Sequence, residues 1–288
     1  MLYLTLSILS SCTLLWMFRY FSDKNLNIQG IITINYITCL ISTLAVNADT
    51  LNFQSIKDEP LNGYAFLLGG LFIITFNIMS KTVTHFGIMI SSVTQKMSLI
   101  APIMIGVLFY AENLTIFRII GIIAAMSAIV VINMPFNKDP EQKRKWIFWL
   151  YPLLTWLLSS IIDSAFYLLG KSTGSKQSAL FLAVLFGTAA TLGILFMIIH
   201  KIKNGLKIPW HIIPFGILLG IPNFMSIHYL MKAIGQGWDA SLMFPINNVG
   251  IIAISMLGAL IIFKEKANKY KLMGVALAIS AVLLIALS

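Results

Sequence analysis

Two charged side chains lie inside long apolar stretches of this sequence and carry its clearest potential for chemistry. Lys96 lies near the middle of one stretch, and Asp163 lies in the second half of another. A lysine at the centre of a helix in a bilayer costs about 2.5–3.5 kcal/mol, so it is expected to face a polar cavity or an opposite charge. Lys96 therefore predicts an anchor for an anionic group such as a carboxylate. The alternatives are snorkelling and an ion pair of purely structural value.

Asp163 has three possible roles in the same chemistry. It is a candidate proton-coupling site, an anchor for a substrate amine, or a fixed partner of Lys96. The alternative is an aspartate near the membrane boundary that is satisfied by water and by Tyr167, four residues further on the same helix face. If Lys96 and Asp163 face one cavity, the pair suits a zwitterion such as an amino acid.

Further candidate substrate-binding residues are polar or aromatic side chains within apolar segments. Gln95 and Asn248 lie on polar stripes of two different segments, and Asn247 adjoins the second. Such stripes line a water-filled path or form interhelical hydrogen bonds worth about 0.6 kcal/mol each. Tyr167 is a further candidate for substrate binding, and Trp156 is a candidate wall of a cavity. The weaker candidates, which more often act as packing contacts, are Asn35, Tyr36, Asn77 and His228.

The composition requires a bilayer as the solvent of these segments. Hydrophobic residues make up 58% of the 288 positions, charged residues make up 10%, and the mean hydropathy is +0.89. A soluble domain has about a quarter charged residues. The net charge of +10 resides mainly in short loops, which indicates membrane orientation rather than nucleic-acid binding. The cysteines, Cys12 and Cys39, are expected to be small buried hydrophobes.

Ten segments are long enough to span a bilayer, given that about 20 apolar residues are needed. They are predicted at 1–21, 30–48, 61–81, 86–109, 114–134, 146–170, 177–200, 210–232, 238–263 and 268–288. The longest polar run falls between the fifth and sixth segments. The predicted organisation is a five-helix repeat at 1–135, a basic linker at 136–145 and a second five-helix repeat at 146–288. Within the eighth segment, Gly216 and Gly220 permit close helix approach.

The two predicted halves echo each other at an offset of about 153 residues. At that offset Glu112 matches Glu265, Gly121 matches Gly274, and the amide of Gln95 matches that of Asn248. Because five is odd, the second copy would enter the membrane with opposite polarity. The sequence therefore predicts an all-α integral membrane protein in which ten transmembrane helices form two inverted five-helix repeats. Both glutamates lie at helix junctions, where capping of the next helix is favoured over substrate contact.

Two sequence phrases carry a resemblance to a known family. They read Leu-Phe-Tyr-Ala-Glu-Asn-Leu-Thr-Ile-Phe-Arg-Ile-Ile-Gly121 and Ile-Ile-Phe-Lys-Glu-Lys-Ala-Asn-Lys-Tyr-Lys-Leu-Met-Gly274. Both resemble the signature that follows helices four and nine in EamA-type transporters of the drug/metabolite transporter superfamily. The family usually has Gly before each Glu, where this chain has Ala111 and Lys264. The resemblance implies a secondary transporter whose helices four and nine help to line a central cavity.

The predicted function is therefore export of small metabolites, such as amino acids or related zwitterions, by alternating access. The alternatives are efflux of organic cations or drugs, and a non-transporting membrane assembly protein. No nucleophile elbow or metalloprotease motif is present in the sequence, and the prediction includes no enzyme activity, cofactor or metal. The expected partners are the lipid bilayer, a small-molecule substrate, and a proton or counter-substrate. The expected location is a bacterial inner membrane.

The sequence supports two opposite orientations of the chain in that membrane. Most Lys and Arg residues fall on the loops opposite the termini, which places both termini outside the cytoplasm. The family resemblance implies cytoplasmic termini instead.

Overall fold

The computed structural model describes residues 1–22, 28–48, 61–132, 146–173, 178–204, 210–262 and 269–286, and across these ranges the chain is all-helical with no strand. The predicted basic linker, 136–145, lies outside them. The α-helices of the described ranges are α1 (Leu2–Ser22), α2 (Ile28–Val46), α3 (Leu61–Lys96), α4 (Ile100–Tyr110), α5 (Ile116–Ile132), α6 (Leu150–Thr173), α7 (Ser178–Asn204), α8 (Ile213–Ile234), α9 (Ala240–Ile261) and α10 (Lys269–Ala286).

The break between the third and fourth helices is not where the sequence predicted it. Helix α3 continues through the predicted break at 81–86 as far as Lys96, and a short 3₁₀ turn, Met97–Leu99, leads into α4. Pro102 lies in the first turn of α4. Proline has no N–H, and its ring crowds the carbonyl four residues earlier, so Pro102 favours an interruption at Ser98. It does not by itself require one, since α8 and α9 continue through Pro222 and Pro245. Proline is tolerated in a first turn, so α4 starts anew just before it.

The chain divides into two compact units, and each unit combines helices from both halves of the sequence. The first unit comprises Met1–Ile74 and Leu169–Gln236, and the second comprises Thr75–Leu168 and Gly237–Ser288. In the first unit, α8 packs against α1 and α2, and α2 also packs against α7. In the second unit, α5 packs against α10, and α9 packs against α4, α5 and α10.

Small residues set the close packing of α8 on α2 in the first unit. A Cβ atom added at Gly216 would lie 2.5 Å from Cβ of Ile34, and one added at Gly220 would lie 2.5 Å from Cβ of Thr38. These contacts confirm that the predicted glycine pair lies at a close helix contact. The thiol of Cys39 donates to the carbonyl of Gly220 at 3.3 Å, a sulfur contact that the same proximity allows.

Three helical stretches of the described ranges combine the length and the apolar composition needed to cross a membrane. They are Ile147–Leu169, Ala179–Ile199 and Trp210–Ile234. The other apolar stretches found in the described part of the chain run to 10–17 residues. Membrane association is therefore supported by both composition and helix length.

Candidate functional site

The polar side chains of interest in the second unit converge around the interruption between α3 and α4. Lys96 is the last residue of α3, and Ser98 lies in the 3₁₀ turn that precedes Pro102. Helix α6 contributes Asp163, and helix α9 contributes Asn248. The four side chains therefore come from the turn and from three helices that are distant in sequence. We call Lys96, Ser98, Asp163 and Asn248 the polar cluster.

Lys96 contacts the amide of Asn248, which matches its neighbour Gln95 at the sequence offset. Its ammonium nitrogen Nζ donates to Oδ1 of Asn248 at 3.4 Å, a long hydrogen bond. Asn248 is only 5% exposed, and its Nδ2 atom has no hydrogen-bond partner among the described residues. The charges of Lys96 and Asp163 also interact electrostatically. Asp163 is placed near this turn by its contact with Ser98, which is two residues along the chain from Lys96.

Ser98 links the turn to α6. Its hydroxyl oxygen lies 2.5 Å from Oδ2 of Asp163 and 2.5 Å from the backbone carbonyl oxygen of Gln95. The serine side chain is buried, whereas Asp163 and Gln95 are each partly buried. The contribution of Gln95 that the structure records here is its backbone carbonyl.

Trp156 and two serines of α6 extend this polar region. The indole of Trp156 donates to the carbonyl of Met97 at 3.4 Å. The hydroxyl oxygens of Ser159 and Ser160 and the Oδ1 atom of Asn247 are buried and have no hydrogen-bond partner among the described residues. An unmade hydrogen bond in a buried environment costs about 1–3 kcal/mol. Buried polar atoms without a protein partner favour the binding of water or of a polar ligand.

Glu112 caps a helix, but the helix is α9 and not the next one in the chain. One carboxylate oxygen accepts from the backbone N–H of Ala240 at 2.7 Å, and the other accepts from that of Ser241 at 3.0 Å. The hydroxyl of Tyr167 donates to the same carboxylate. A negative charge at a helix N-terminus is stabilised by the free N–H groups and by the helix dipole. Glu112 and Tyr167 therefore hold α9 in place.

An ion pair supports the same junction. The guanidinium of Arg118 donates to Asp239 at 3.0 Å and to the carbonyl of Asn113 at 3.2 Å. Asp239 occupies the residue position before α9 but makes no cap hydrogen bond with its own side chain. Because Glu112 supplies the acceptors instead, the start of α9 is fixed by residues far away in sequence.

The residue that matches Lys96 in the second half is part of an apolar core. Val249 packs with Ala125, Ala128 and Ala281 in a buried cluster of α5, α9 and α10. Lys96 and Val249 match at the offset of about 153 residues, but the lysine contacts a polar amide and the valine lies in an apolar core.

The remaining predicted site residues lie elsewhere. Asn35 and Tyr36 in α2 and His228 in α8 belong to the first unit, where Nδ2 of Asn223 donates to Oδ1 of Asn35 at 3.1 Å. The His228 ring lies 5.1 Å from that of Phe224. Asn77 lies in α3, about five helical turns before Lys96.

The structure places three of the four residues of the transporter-family signature, and their environments differ. Gly121 and Gly274 are buried in α5 and α10, which pack together, and Glu112 forms the cap of α9. Glu265 lies outside the described residues.

Sequence reasoning missed two residues that shape this region. Ser98 was not selected as a site residue, although Pro102, four residues later, lacks the N–H that would bind the Ser98 carbonyl in a regular helix. Gly106 leaves room for a carboxylate: a Cβ atom added there would lie 2.7 Å from Cδ of Glu112. Its one sequence signal is a glycine inside an otherwise apolar helix.

The described part of the chain contains no group of three or more His, Cys, Asp or Glu side chains placed to hold a metal ion.

Comparison with known proteins supports the fold and is silent on activity. A protein of Haemophilus influenzae described only as uncharacterized is 28% identical over 287 residues, covering 97% of this chain and 95% of its own length. A protein known from its crystal structure has a TM-score of 0.78 with 12% identity, covering 99% of this chain and 96% of that one. At that identity the likeness concerns the fold alone. No protein-family model matches the chain.

Proposed function

We propose that this protein is a multi-pass integral membrane transporter of small zwitterionic metabolites such as amino acids. In this proposal the ten predicted spans cross the bilayer of a bacterial inner membrane, and the direction of transport is export. The 11 residues of α4 are too few for a span, so the fourth span includes the end of α3 and the 3₁₀ turn as well. The observation that carries the proposal is the polar cluster, in which opposite charges from α3 and α6 lie beside a helix interruption within a protein that is 58% hydrophobic. Ionisable groups in such surroundings mark substrate or ion pathways.

The outward faces of the helices support the spanning arrangement. On α8 the exposed large side chains include Ile217, Leu218, Ile221 and Met225, which share one face. Helix α5 likewise exposes Phe117, Ile120 and Ile123, among others. Contiguous exposed apolar surface of this extent is unfavourable in water and typical of a membrane-facing surface.

The packing within each unit supports two inverted repeats. In a five-helix repeat the equivalent helices are five apart in order, and three such pairs are in contact: α2 with α7, α4 with α9, and α5 with α10. Ala128 and Ala281, which match at the sequence offset, lie in the same buried cluster. A pseudo-two-fold axis brings equivalent elements together in this way, and the resulting near-equivalent conformations are the simplest route to alternating access.

The charges of the cluster support a zwitterionic substrate. Lys96 offers an ammonium group to a carboxylate, and Asp163 offers a carboxyl group to an amine. The Nδ2 atom of Asn248, which has no hydrogen-bond partner in the described part of the chain, offers a further donor. Interrupted helices with free backbone groups near such charges are the usual form of a transporter binding site. The resemblance of the Glu112 phrase to EamA-type transporters agrees with the same class of function.

The test is flux through proteoliposomes that contain the purified full chain. Radiolabelled amino acids and an organic cation are supplied as separate panels, with and without a pH gradient. We expect saturable flux of at least one amino acid, and we expect Lys96→Met and Asp163→Asn each to reduce it by tenfold or more. Loss of one charge-assisted contact to a substrate, worth about 1.5–3 kcal/mol, has an effect of at least that size.

A matched control lies on the same helix as Lys96. Lys81 is exposed, with its ammonium 5.7 Å from the centroid of the Tyr151 ring. Lys81→Met should retain wild-type flux. Transport of the organic cation alone would replace the zwitterion with a cationic substrate, and absence of flux for both panels would overturn the transporter proposal.

A further inference from the structure

Aromatic rings from three helices meet at one end of the second unit. The Tyr167 ring of α6 lies 5.6 Å from the Tyr110 ring at the end of α4 and 6.1 Å from the Phe244 ring of α9, edge to face in both pairs. Tyr167 is fully buried and Phe244 is 2% exposed. Edge-to-face aromatic pairs pack closely and attract each other. These rings therefore close the space between α4, α6 and α9 at this level.

The aromatic layer lies one helical turn from the polar cluster. Tyr167 is four residues beyond Asp163 on the same face of α6, a rise of about 6 Å. Phe244 precedes Asn248 by four residues in α9, which is the same rise. Both steps lead toward the end of the second unit at which α9 begins. The rings thus separate the polar cluster from that end.

Beyond the rings the closure is polar. The Glu112 carboxylate accepts hydrogen bonds from the Tyr167 hydroxyl and from the backbone N–H groups of Ala240 and Ser241. The Arg118–Asp239 ion pair lies next to this cap, and the Asp239 side chain is 38% exposed, so the pair is at the surface. Such contacts add little net free energy, because water replaces them when they break.

The middle of α9 is held differently from its start. Val249 packs with Ala125, Ala128 and Ala281 of α5 and α10, and separating these helices would expose apolar surface to no polar partner. Pro245 lies between this apolar anchor and the capped first turn. Because proline removes a hydrogen bond from the helix and favours a kink, α9 can bend there while its middle stays packed.

We propose that this end of the second unit is a gate of the transport pathway, closed in this structure, and that it opens when the first turn of α9 hinges at Pro245 away from Glu112 and Tyr167. The inference rests on the proposed transport function. In the proposed topology the fourth and the tenth spans end on the same side of the membrane. The gate therefore faces the side that holds the C-terminus.

Thiol accessibility from each side of the membrane tests the gate and needs no substrate. The background is the full chain with Cys12→Ser and Cys39→Ser, which removes both native thiols. The reporter is Ser160→Cys, since Ser160 is buried, lies on the face of α6 that carries Asp163 and Tyr167, and has an Oγ atom without a hydrogen-bond partner among the described residues. A membrane-impermeant maleimide is applied to spheroplasts and to inverted vesicles, and a tag on the C-terminus identifies the side.

The reporter should react slowly from the C-terminal side while the gate is intact. Glu112→Gln and Tyr167→Phe each remove part of the cap and should raise the rate from that side at least fivefold, without raising it from the other side. A factor of this size corresponds to the loss of one hydrogen bond that favours the closed state. Tyr167→Phe keeps the aromatic ring, so it tests the gate with little change in packing.

Two further variants separate a gate from general loosening. Tyr151→Phe is the matched control at the other end of α6, where its ring stacks on His85 at 5.5 Å, and it should leave both rates unchanged. Pro245→Ala added to Glu112→Gln should abolish the increase, because α9 regains the hydrogen bond that the hinge lacks. Rates that rise from both sides, or that do not change, would overturn the gate. An increase that persists with Pro245→Ala would overturn the hinge.

Flux of the amino-acid panel is measured separately in the same variants. If wild-type flux occurs but the gate variants leave accessibility unchanged, the gate is wrong and the transport function stands. If no flux occurs but accessibility rises from the C-terminal side alone, the transport function is wrong and the movement of α9 stands.

Discussion

The carboxylate of Glu112 occupies the space beside Gly106 in which any larger residue would place its side chain. A Cβ atom at position 106 would lie 2.7 Å from Cδ of Glu112 and 2.7–2.8 Å from its two oxygens. The same oxygens accept hydrogen bonds from Ala240 and Ser241 at the start of α9. The absence of a side chain on α4 therefore allows a carboxylate that follows α4 to hold the N-terminus of α9.

Gly106→Ala should destabilise the protein through this cap. The added methyl group forces the carboxylate away from the N–H groups of α9, and we expect a loss of about 1–3 kcal/mol in the free energy of unfolding. Thermal unfolding in nanodiscs measures the loss, and hydrogen exchange of Ala240 and Ser241 amides should accelerate.

Gly63→Ala provides the matched control for Gly106→Ala. Gly63 lies in the first turn of α3, and a Cβ atom added there meets no atom within 4 Å. Alanine there should leave stability unchanged or raise it by up to about 1 kcal/mol, because glycine loses more backbone entropy on folding. Equal effects of the two substitutions would contradict the role of Gly106.

Glu112 and Tyr167 should be energetically coupled. Tyr167→Phe removes one donor from the carboxylate, and Glu112→Gln removes its charge and one strong acceptor, so each should cost about 1–2 kcal/mol. Because both changes act on one hydrogen-bond network, the double variant should be less destabilised than the sum of the single variants by at least 0.5 kcal/mol, to judge from coupled pairs generally. Additive losses in thermal or denaturant unfolding would show that the two side chains act independently.

The ten helices could be predicted from the sequence because the length of an apolar segment and the polar residues that end it are local properties of the chain. Gly237, within the predicted turn between the eighth and ninth segments, adopts a φ of 85°. The break before α4 was misplaced because the prediction followed hydropathy, whereas α3 ends only at Lys96, at a turn that the backbone geometry of Pro102 favours. Apolar periodicity does not report such a constraint.

The types of residue that form the site could be predicted from the sequence, but the contacts between them could not. Isolated charges in apolar segments select Lys96 and Asp163, and the sequence offset selects Asn248, because burial makes such residues costly. The partners of Glu112 could not be predicted, since Ala240 is 128 residues away and contributes only its backbone N–H, which every non-proline residue has.

Ala111→Gly should stabilise the protein at the end of α4. Ala111 has a φ of 51° and a ψ of 36°, the left-handed region that favours glycine. Relief of this strain should raise the free energy of unfolding by about 1 kcal/mol, measured by thermal unfolding. The comparison is Ala276→Gly, on an exposed position of α10 with ordinary helical geometry, which should lower stability by about 1 kcal/mol. A loss of stability in Ala111→Gly would show that the left-handed residue is not strained.

Gly220→Ala tests whether close approach of α8 and α2 is required in the first unit. The added Cβ atom would lie 2.5 Å from Cβ of Thr38 and 2.8 Å from the carbonyl oxygen of Asn35, so the two helices must move apart. Overpacking of this kind costs about 1–3 kcal/mol. At Gly187 in α7, the added atom would lie 3.8 Å from Leu40, an ordinary contact, and Gly187→Ala should be neutral or stabilising. Thermal unfolding of both variants compares them directly, and a tolerated Gly220→Ala would mean that α2 and α8 can separate without loss of stability.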